Sequence, residues 1–262
     1  MRAPSLIDYL RSTAAVLLFF LLLLVYTPIV ILLLLVSFGR LTNFIMEKMV
    51  PPLSQAVLWT AGVRFQIKKH TDQIPVPSLF IINHSSTLDV LTILAMGLPR
   101  IRFVAKWEFQ YNPIFLVLGR LTGQIFIRRQ QSEKAIETLR KTQKRVLRQR
   151  LSLMMAPEGS RKHSGVIGPF KKGPFRMAMD LGYPITPIYF EGNRQLSPGS
   201  SLYTKSGSCT AHIYPPIDTS GWRTENLEEH ISDIRKKYLE WAGVEDPSAE
   251  QTDRTGEELH PN

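Results

Sequence analysis

A dense apolar run near the N-terminus sets the first part of the chain apart from the rest. From Ala14 to Phe38 none of the 25 residues carries a charge, and Leu, Val, Ile and Phe dominate. As a helix, this run would span roughly 37 Å, which is enough to cross a hydrocarbon core of about 30 Å. Pro28 lies near its middle and predicts a kink or a break. The run therefore indicates either one kinked transmembrane helix or a re-entrant pair of half-helices, Ala14–Tyr26 and Ile29–Phe38.

Downstream of this run, short β-rich segments alternate with segments of helical periodicity. Several β-rich segments are continuously apolar, which is typical of strands buried on both faces. The alternation predicts an α/β layered domain with a largely parallel central sheet flanked by helices. The predicted strands are Ser78–Ile82, Arg102–Ala105, Gly123–Ile127, Leu151–Met155, Ile185–Phe190 and Cys209–Tyr214. The predicted helices are Asp89–Met96, Asn112–Leu121, Ser132–Arg148, Pro174–Leu181 and Leu227–Trp241.

Composition shifts divide the chain into three parts. The segment Met49-Val50-Pro51-Pro52 predicts a break after the apolar run and its flanking helix. We therefore assign residues 1–50 to a membrane anchor and residues 51–244 to the α/β domain. The tail 245–262 is polar and contains proline, a composition that favours disorder.

The charge balance indicates a polyanionic partner. Lys and Arg number 32 against 22 Asp and Glu, a net charge of +10. Such an excess favours nucleic acid, an anionic membrane surface or a phosphorylated small molecule, and the adjacent apolar run favours membrane lipids over nucleic acid. The single cysteine, Cys209, excludes an intrachain disulfide and a cysteine-based metal site. We interpret it as a packed strand residue.

The segment that carries the clearest chemistry follows the first predicted strand. His84 comes directly after this strand, and Asp89 lies five residues later. On one continuous helix these two positions would be about 140° apart. Ser85 and Ser86 are good N-cap residues, so the chain can turn from loop into helix between the two and bring Asp89 back to the imidazole. Such a pair could activate a hydroxyl as a general base.

A purely structural interpretation of the same segment is also open. Ser86-x-x-Asp89 resembles a capping box, in which Asp89 would only start a helix. His84 would then be a loop histidine at a strand end. The spacing alone leaves both interpretations standing.

Three further segments follow in order along the chain. They are Gly123–Arg129, Pro157-Glu158-Gly159-Ser160-Arg161 and Tyr183–Ile188. Together with Asn83-His84-x4-Asp89, they resemble the four signature blocks of the glycerolipid acyltransferase family, which contains the 1-acylglycerol-3-phosphate acyltransferases. The resemblance spans roughly residues 79 to 217.

The chain departs from the pattern of this family at two positions. Ala156 stands where the third block commonly opens with Phe, which suggests a different wall beside the phosphate site. Arg128 replaces the residue, often Asp, that precedes the arginine of the second block.

The resemblance implies an enzyme that transfers a fatty acyl chain from acyl-CoA or acyl carrier protein to the sn-2 hydroxyl of lysophosphatidate, giving phosphatidate. It implies that His84 is the general base and that Asp89 orients it, with no metal or cofactor. Arg129 and Arg161 would bind the acceptor phosphate, because guanidinium groups match phosphate oxygens in a bidentate way. The substrate-binding positions that the resemblance implies are Gly123, Phe126, Arg129, Glu158, Gly159, Ser160 and Arg161.

Several other functions are also compatible with parts of the sequence. The acceptor could be another lysophospholipid or a lyso-aminolipid, and a non-catalytic lipid-binding protein is a further alternative. A serine hydrolase is disfavoured because no Gly-x-Ser-x-Gly segment occurs. Gly168 and Gly173 have the glycine spacing of a P-loop, but Pro174 and Phe175 stand where Lys and Ser or Thr are needed. We expect the inner (cytoplasmic) membrane as the location, with the catalytic domain on the cytoplasmic side and membrane lipids as partners.

Overall fold

The N-terminal apolar run forms one uninterrupted helix. The structure, a computed structural model, describes residues 3–128, 132–161, 167–199 and 201–245. Helix α1 (Leu6–Val36) begins with a capping box between Ser5 and Asp8 and continues through Pro28. The structure therefore has the single helix and not the pair of half-helices. Within the described residues, α1 is the one helix long and apolar enough to cross a membrane, and only 6% of its most apolar window is buried.

The first turns of α1 are fastened to the loop 197–206 by polar contacts. The Ser12 hydroxyl donates to the Thr204 carbonyl at 2.9 Å, and the Thr204 N–H donates back to Ser12 at the same distance. Asp8 accepts hydrogen bonds from the backbone and the hydroxyl of Ser206. These contacts satisfy polar groups that would otherwise be unpaired beside an apolar helix.

The chain after α1 forms a second helical segment, which contradicts the predicted break at Pro51-Pro52. A short helix, α2 (Thr42–Phe44), and a π-helical turn (Ile45–Met49) lead directly into α3 (Val50–Thr60). The two prolines lie in the first turn of α3, where backbone N–H groups have no partner within the helix, so proline is tolerated there.

Seven strands of the described chain form one sheet in the order β1-β7-β6-β2-β5-β3-β4. Strands β2 to β6 pair in parallel with one another, β7 is antiparallel to β6, and β1 is parallel to β7. The predicted largely parallel sheet is confirmed. The strands are β1 (Val63–Lys69), β2 (Leu79–Ile82), β3 (Ile101–Lys106), β4 (Ile125–Ile127), β5 (Ser152–Met155), β6 (Ile185–Glu191) and β7 (Gly207–Ile213).

Helices cover both faces of the sheet, as buried parallel strands require. Leu79 and Ile81 of β2 face one core cluster together with Phe175, whereas Phe80 and Ile82 face a second cluster. The remaining helices are α4 (Leu88–Met96), α5 (Pro113–Leu121), α6 (Ser132–Arg148), α7 (Lys172–Leu181), α8 (Asn193–Leu196) and α9 (Leu227–Ala242). The predicted α/β layered architecture is therefore present.

Parallel pairing brings the carboxyl ends of β2, β5, β3 and β4 to one edge of the sheet. This edge is where open α/β sheets place ligands. The segments that follow β2 and β5 carry His84, Asp89 and the third block, whereas Gly123 precedes β4 and Phe126 lies within it. Of the predicted disordered tail, residues 246–262 lie outside the described residues.

Candidate active site

His84 and Asp89 are in direct contact at the carboxyl end of β2. The strand ends at Ile82 and α4 begins at Leu88, so the predicted turn from loop to helix separates the two residues. His84 Nδ1 lies 2.8 Å from Asp89 Oδ2. The Asp89 side chain is fully buried, whereas the His84 side chain is 19% exposed. The histidine is therefore held by a buried carboxylate and remains open to a substrate.

The same carboxylate oxygen also starts helix α4. Asp89 Oδ2 accepts the backbone N–H groups of Ser85 at 2.9 Å and Ser86 at 3.0 Å. Asp89 therefore holds the start of the helix, as the structural interpretation expects, and also contacts His84, as the catalytic interpretation requires. A carboxylate beside Nδ1 favours the tautomer with the ring proton on Nδ1, and this tautomer leaves Nε2 free to accept a proton.

Glu158 holds the backbone of the loop that carries His84. Its Oε1 accepts the His84 N–H at 2.7 Å, and its Oε2 accepts the Gly168 N–H at 2.8 Å. The residue is 5% exposed. Both carboxylate oxygens thus accept backbone N–H groups. The predicted place of Glu158 among the substrate-binding positions stays a prediction.

The rest of the third block forms a tight turn that leads to Arg161. The Gly159 N–H donates to the Ala156 carbonyl at 3.1 Å, and Gly159 has a φ of +69°, a left-handed conformation that favours glycine. Ser160 is exposed on the next position. Arg161 Nη1 donates to Thr87 Oγ1 at 3.2 Å. This bond brings one predicted phosphate ligand to the loop that carries His84.

A lysine lies beside this turn. A Cβ added to Gly159 would lie 3.1 Å from Lys171 Nζ. Lys171 also anchors the loop, since its N–H donates to the Pro157 carbonyl at 2.9 Å. The lysine therefore adds a positive charge to the region of Arg161.

The residues of the second block are not all close to His84. Gly123 lies two residues before Ile125, which pairs with Val104, so Gly123 is at the amino end of the sheet and not beside His84. The Phe126 ring packs on α5, where a Cβ at Gly119 would lie 2.4 Å from the ring. In the structure, Gly123 therefore lies away from His84, and Phe126 packs against α5.

Arginines close the second block. The Arg128 guanidinium lies 4.7 Å from the ring centroid of Trp107, a cation–π contact. Arg129 lies outside the described residues. Its predicted contact with phosphate stays a prediction.

Two asparagines also contribute to this region, although neither was among the predicted site residues. Asn83 exchanges two hydrogen bonds with the backbone of Phe190, at 2.7 and 3.0 Å, and so ties the end of β2 to β6. Asn193 donates to Asp89 Oδ1 at 2.8 Å. Asn83 adjoins His84 in the first block, but nothing in the sequence near Asn193 signals its contact.

Cys209 is not a candidate nucleophile. It lies in β7 with 2% of its surface exposed, and burial raises the pKa of its thiol to about 12. A thiol with that pKa stays protonated at neutral pH. The sequence interpretation of Cys209 as a packed strand residue is confirmed.

Comparison with known proteins gives the family. The Acyltransferase family model matches residues 66–191, which include His84, Asp89 and the whole third block. A 1-acyl-sn-glycerol-3-phosphate acyltransferase of Haemophilus influenzae is 30% identical over 189 residues, covering 68% of this chain and 75% of that protein. The chain belongs to the 1-acyl-sn-glycerol-3-phosphate acyltransferase family. This places it among the acyltransferase enzymes, as predicted.

Other relatives of this acyltransferase are longer than the matched region. The mouse 1-acyl-sn-glycerol-3-phosphate acyltransferase alpha is 28% identical over 68% of this chain and 63% of its own length. The coconut (Cocos nucifera) 1-acyl-sn-glycerol-3-phosphate acyltransferase is 29% identical over 62% of this chain and 53% of its own length. The crystal structure of the 1-acyl-sn-glycerophosphate (LPA) acyltransferase PlsC from Thermotoga maritima has a TM-score of 0.68 at 20% identity. It covers 91% of this acyltransferase and 99% of that chain, which shows that the fold is shared.

Proposed function

We propose that this acyltransferase moves a fatty acyl chain from an acyl thioester to the sn-2 hydroxyl of lysophosphatidate, giving phosphatidate. The observation that carries the proposal is the 2.8 Å contact between His84 Nδ1 and the fully buried Asp89 carboxylate. It leaves His84 Nε2 as a base at a partly exposed position. Family membership supplies the reaction class and the acceptor.

The proposed reaction is a direct transfer. His84 Nε2 takes the proton of the acceptor hydroxyl as its oxygen attacks the thioester carbonyl. Asp89 stabilises the imidazolium that forms and keeps the ring in place. The tetrahedral intermediate then collapses, the carbon–sulfur bond breaks, and the departing thiolate takes the proton from His84. The residues named supply all the proton transfers, so the proposed reaction needs no metal or cofactor.

The acceptor phosphate would bind to arginine. The contact of Arg161 with Thr87 supports this assignment, because it places the guanidinium on the catalytic loop. Arg129 is proposed as the second phosphate ligand. Gly159 and Ser160 would shape the turn beneath Arg161, and Lys171 adds charge beside Gly159. A phosphate monoester suits such a cationic region, since guanidinium and ammonium groups form strong charge-assisted hydrogen bonds with it.

Membrane attachment through α1 is part of the proposal. A largely exposed apolar helix of 31 residues, Leu6–Val36, suits a bilayer better than water. Attachment would let a lysolipid reach His84 without leaving the bilayer completely. We place the catalytic domain on the cytoplasmic side of the inner membrane, with acyl-CoA or acyl carrier protein as donor. Flotation of the full chain with phospholipid vesicles tests the attachment, which would be contradicted if the protein stayed at the bottom of the gradient.

The decisive experiment measures the reaction itself. The full chain, purified in detergent, is given lysophosphatidate with labelled acyl-CoA or, separately, labelled acyl carrier protein. We expect labelled phosphatidate with at least one donor and near-complete loss of product in a folded His84→Ala variant. His70→Ala serves as the matched control. His70 directly follows β1, and β1 lies three strand positions from β2 in the sheet. Absence of phosphatidate with both donors would refute lysophosphatidate as the acceptor and direct the assay to other lysophospholipids and lyso-aminolipids.

A further inference from the structure

The buried side chain of Asn193 contacts the catalytic pair from outside the region that the family model matches. Asn193 is the first residue of α8, directly after β6, and none of its surface is exposed. Its Nδ2 donates to Asp89 Oδ1 at 2.8 Å and to Thr92 Oγ1 at 3.1 Å. We propose that Asn193 is a positioning residue that holds the Asp89 carboxylate in the orientation required by His84.

The hydrogen bonds of Asp89 show why Asn193 matters. The Oδ2 atom is fixed by three donors: His84 Nδ1 and the N–H groups of Ser85 and Ser86. Oδ1 accepts from Asn193, which is the donor that the described residues provide for this oxygen. A buried carboxylate oxygen that has no hydrogen-bond donor is energetically costly. Without Asn193, Oδ1 would be buried and unpaired, and the carboxylate could rotate away from the imidazole.

The pairing of the Asn193 amide itself points to a role for its NH2 group. Asn193 Oδ1 is buried and has no hydrogen-bond partner among the described residues. An asparagine kept only for packing would ordinarily satisfy both ends of its amide. Here the carbonyl end is left unpaired while both amide hydrogens reach Asp89 and Thr92. The orientation of the Asn193 amide therefore favours donation from its NH2 group to the Asp89 carboxylate and leaves its carbonyl oxygen unpaired.

The backbone holds Asn193 at this place by means of a strained turn. Gly192 has a φ of +89°, and a Cβ there would lie 2.7 Å from the Ser208 carbonyl oxygen. Only glycine fits such a turn without displacing β7. The Asn193 carbonyl also accepts the Ser197 N–H at 2.9 Å. The side chain is thus presented to Asp89 from a fixed strand end.

The mechanistic consequence rests on the proposed function. During transfer, His84 becomes positively charged, and Asp89 must face Nδ1 to stabilise it. Asn193 does not touch His84 or the substrate region, so its loss should slow the chemical step and leave the KM for lysophosphatidate unchanged. One hydrogen bond to a charged group corresponds to roughly tenfold to a hundredfold in rate.

The test compares Asn193→Ala and Asn193→Asp with the parent full chain in detergent. Asn112→Ala is the control, because Asn112 is an exposed helix cap at the start of α5. For each protein we measure kcat, KM, the thermal midpoint and the nitrogen chemical shifts of the His84 ring, assigned by their absence in His84→Ala. The ring shifts report which nitrogen carries the proton, and they require no substrate.

We expect Asn193→Ala to lower kcat roughly tenfold to a hundredfold and to give a mixture of ring tautomers in place of the Nδ1–H form. Asn193→Asp should keep more activity than Asn193→Ala while the new carboxyl is protonated, because a protonated carboxyl can donate to Asp89. It should lose activity as pH rises and the new carboxyl ionises. Parent-like kcat and tautomer in Asn193→Ala would overturn the inference. So would a loss of kcat that follows the thermal midpoint while the tautomer stays as in the parent.

A failure of the proposed function can be distinguished from a failure of the role proposed for Asn193. If the parent forms no phosphatidate, the reaction assigned above is wrong. The His84 ring shifts of the ligand-free protein then decide the role of Asn193 alone. A tautomer mixture in Asn193→Ala would support it, and an unchanged Nδ1–H form would refute it.

Discussion

The carboxylate of Glu158 and the backbone N–H of His84 are joined by a 2.7 Å hydrogen bond. This bond connects the loop after β5 to the loop after β2, two neighbouring parallel strands. The other carboxylate oxygen reaches the Gly168 N–H at 2.8 Å. A single buried side chain thus sets the position of His84, the proposed general base, relative to the turn that leads to Arg161.

Replacing Glu158 should therefore lower both stability and rate. In Glu158→Gln, the side-chain NH2 cannot accept a backbone N–H, so one of the two bonds is lost. The cost of an unsatisfied buried group is about 1–3 kcal/mol. We expect a lower thermal midpoint and a lower kcat, with little change in KM for lysophosphatidate.

The control for this prediction is Glu229→Gln on the exposed side of α9. It should behave like the parent in both measurements. If Glu158→Gln instead raised KM while leaving kcat and the midpoint unchanged, Glu158 would contact substrate, as the family resemblance implied.

Arg161 should act mainly on acceptor binding. Its bond to Thr87 orients the guanidinium, and removing the guanidinium would remove the proposed bidentate contact with the acceptor phosphate. We expect Arg161→Ala to raise KM for lysophosphatidate by at least tenfold and Thr87→Val to raise it by less. Steady-state kinetics with varied acceptor measures this effect.

An exposed arginine of α7 provides the comparison. Arg176→Ala should leave KM for lysophosphatidate unchanged, because Arg176 is exposed on this helix. Equal effects of Arg161→Ala and Arg176→Ala would indicate that only overall charge matters, and the phosphate contact of Arg161 would then be rejected.

Gly192 should be irreplaceable for steric reasons. Alanine there would combine a left-handed φ of +89° with a contact of 2.7 Å to a backbone oxygen. Backbone strain of this kind costs of order 1–3 kcal/mol, and the clash adds to it. We expect Gly192→Ala to lower the thermal midpoint and to reduce kcat by displacing Asn193.

Gly182 separates the two causes. It has a φ of +64° but no atom within 4 Å of an added Cβ. Gly182→Ala should therefore show the smaller loss that comes from φ alone, with kcat unchanged. Equal losses in the two variants would show that the close approach of Ser208 contributes nothing.

The fold was largely predictable because its strands are continuously apolar. Strand β5 (Ser152–Met155) was predicted to within one residue, and α6 (Ser132–Arg148) with its observed bounds. Strand β1 (Val63–Lys69) was not predicted. It is an edge strand in which polar residues alternate with apolar ones and most positions are exposed, so its stability comes from pairing with β7. That pairing joins segments far apart in sequence. The alternation is a local strand signal, but it differs from the continuously apolar runs that predicted the buried strands.

The candidate site was predictable only where its contacts are local. His84 and Asp89 are five residues apart, and their loop-to-helix turn is encoded by Ser85 and Ser86. Asn193 reaches Asp89 across 104 residues. Such a contact exists only after β6 is placed beside β2, so it could not be derived from spacing.

A histidine pair at the sheet edge should make stability depend on pH. His70 Nε2 lies 3.0 Å from His212 Nδ1, and His212 Nε2 lies 2.9 Å from a Glu191 oxygen. An N–H···N bond between two imidazoles requires one ring to be neutral. Partial desolvation, followed by the charges of His212 and Lys68, lowers the pKa of His70. The Tyr214 ring stacks on the His70 ring, with 4.5 Å between the ring centroids.

The sign of the effect follows from linkage. A histidine whose pKa is lowered in the folded state binds protons more readily when unfolded, so its contribution is present above its ordinary pKa of about 6.5 and is lost as pH falls. We expect the thermal midpoint of the parent to fall more steeply than that of His70→Gln between about pH 7.5 and pH 5.5. His230→Gln, on α9, should keep the steepness of the parent. The prediction fails if the parent and His70→Gln lose stability in parallel, because the histidine pair would then contribute nothing to the pH dependence.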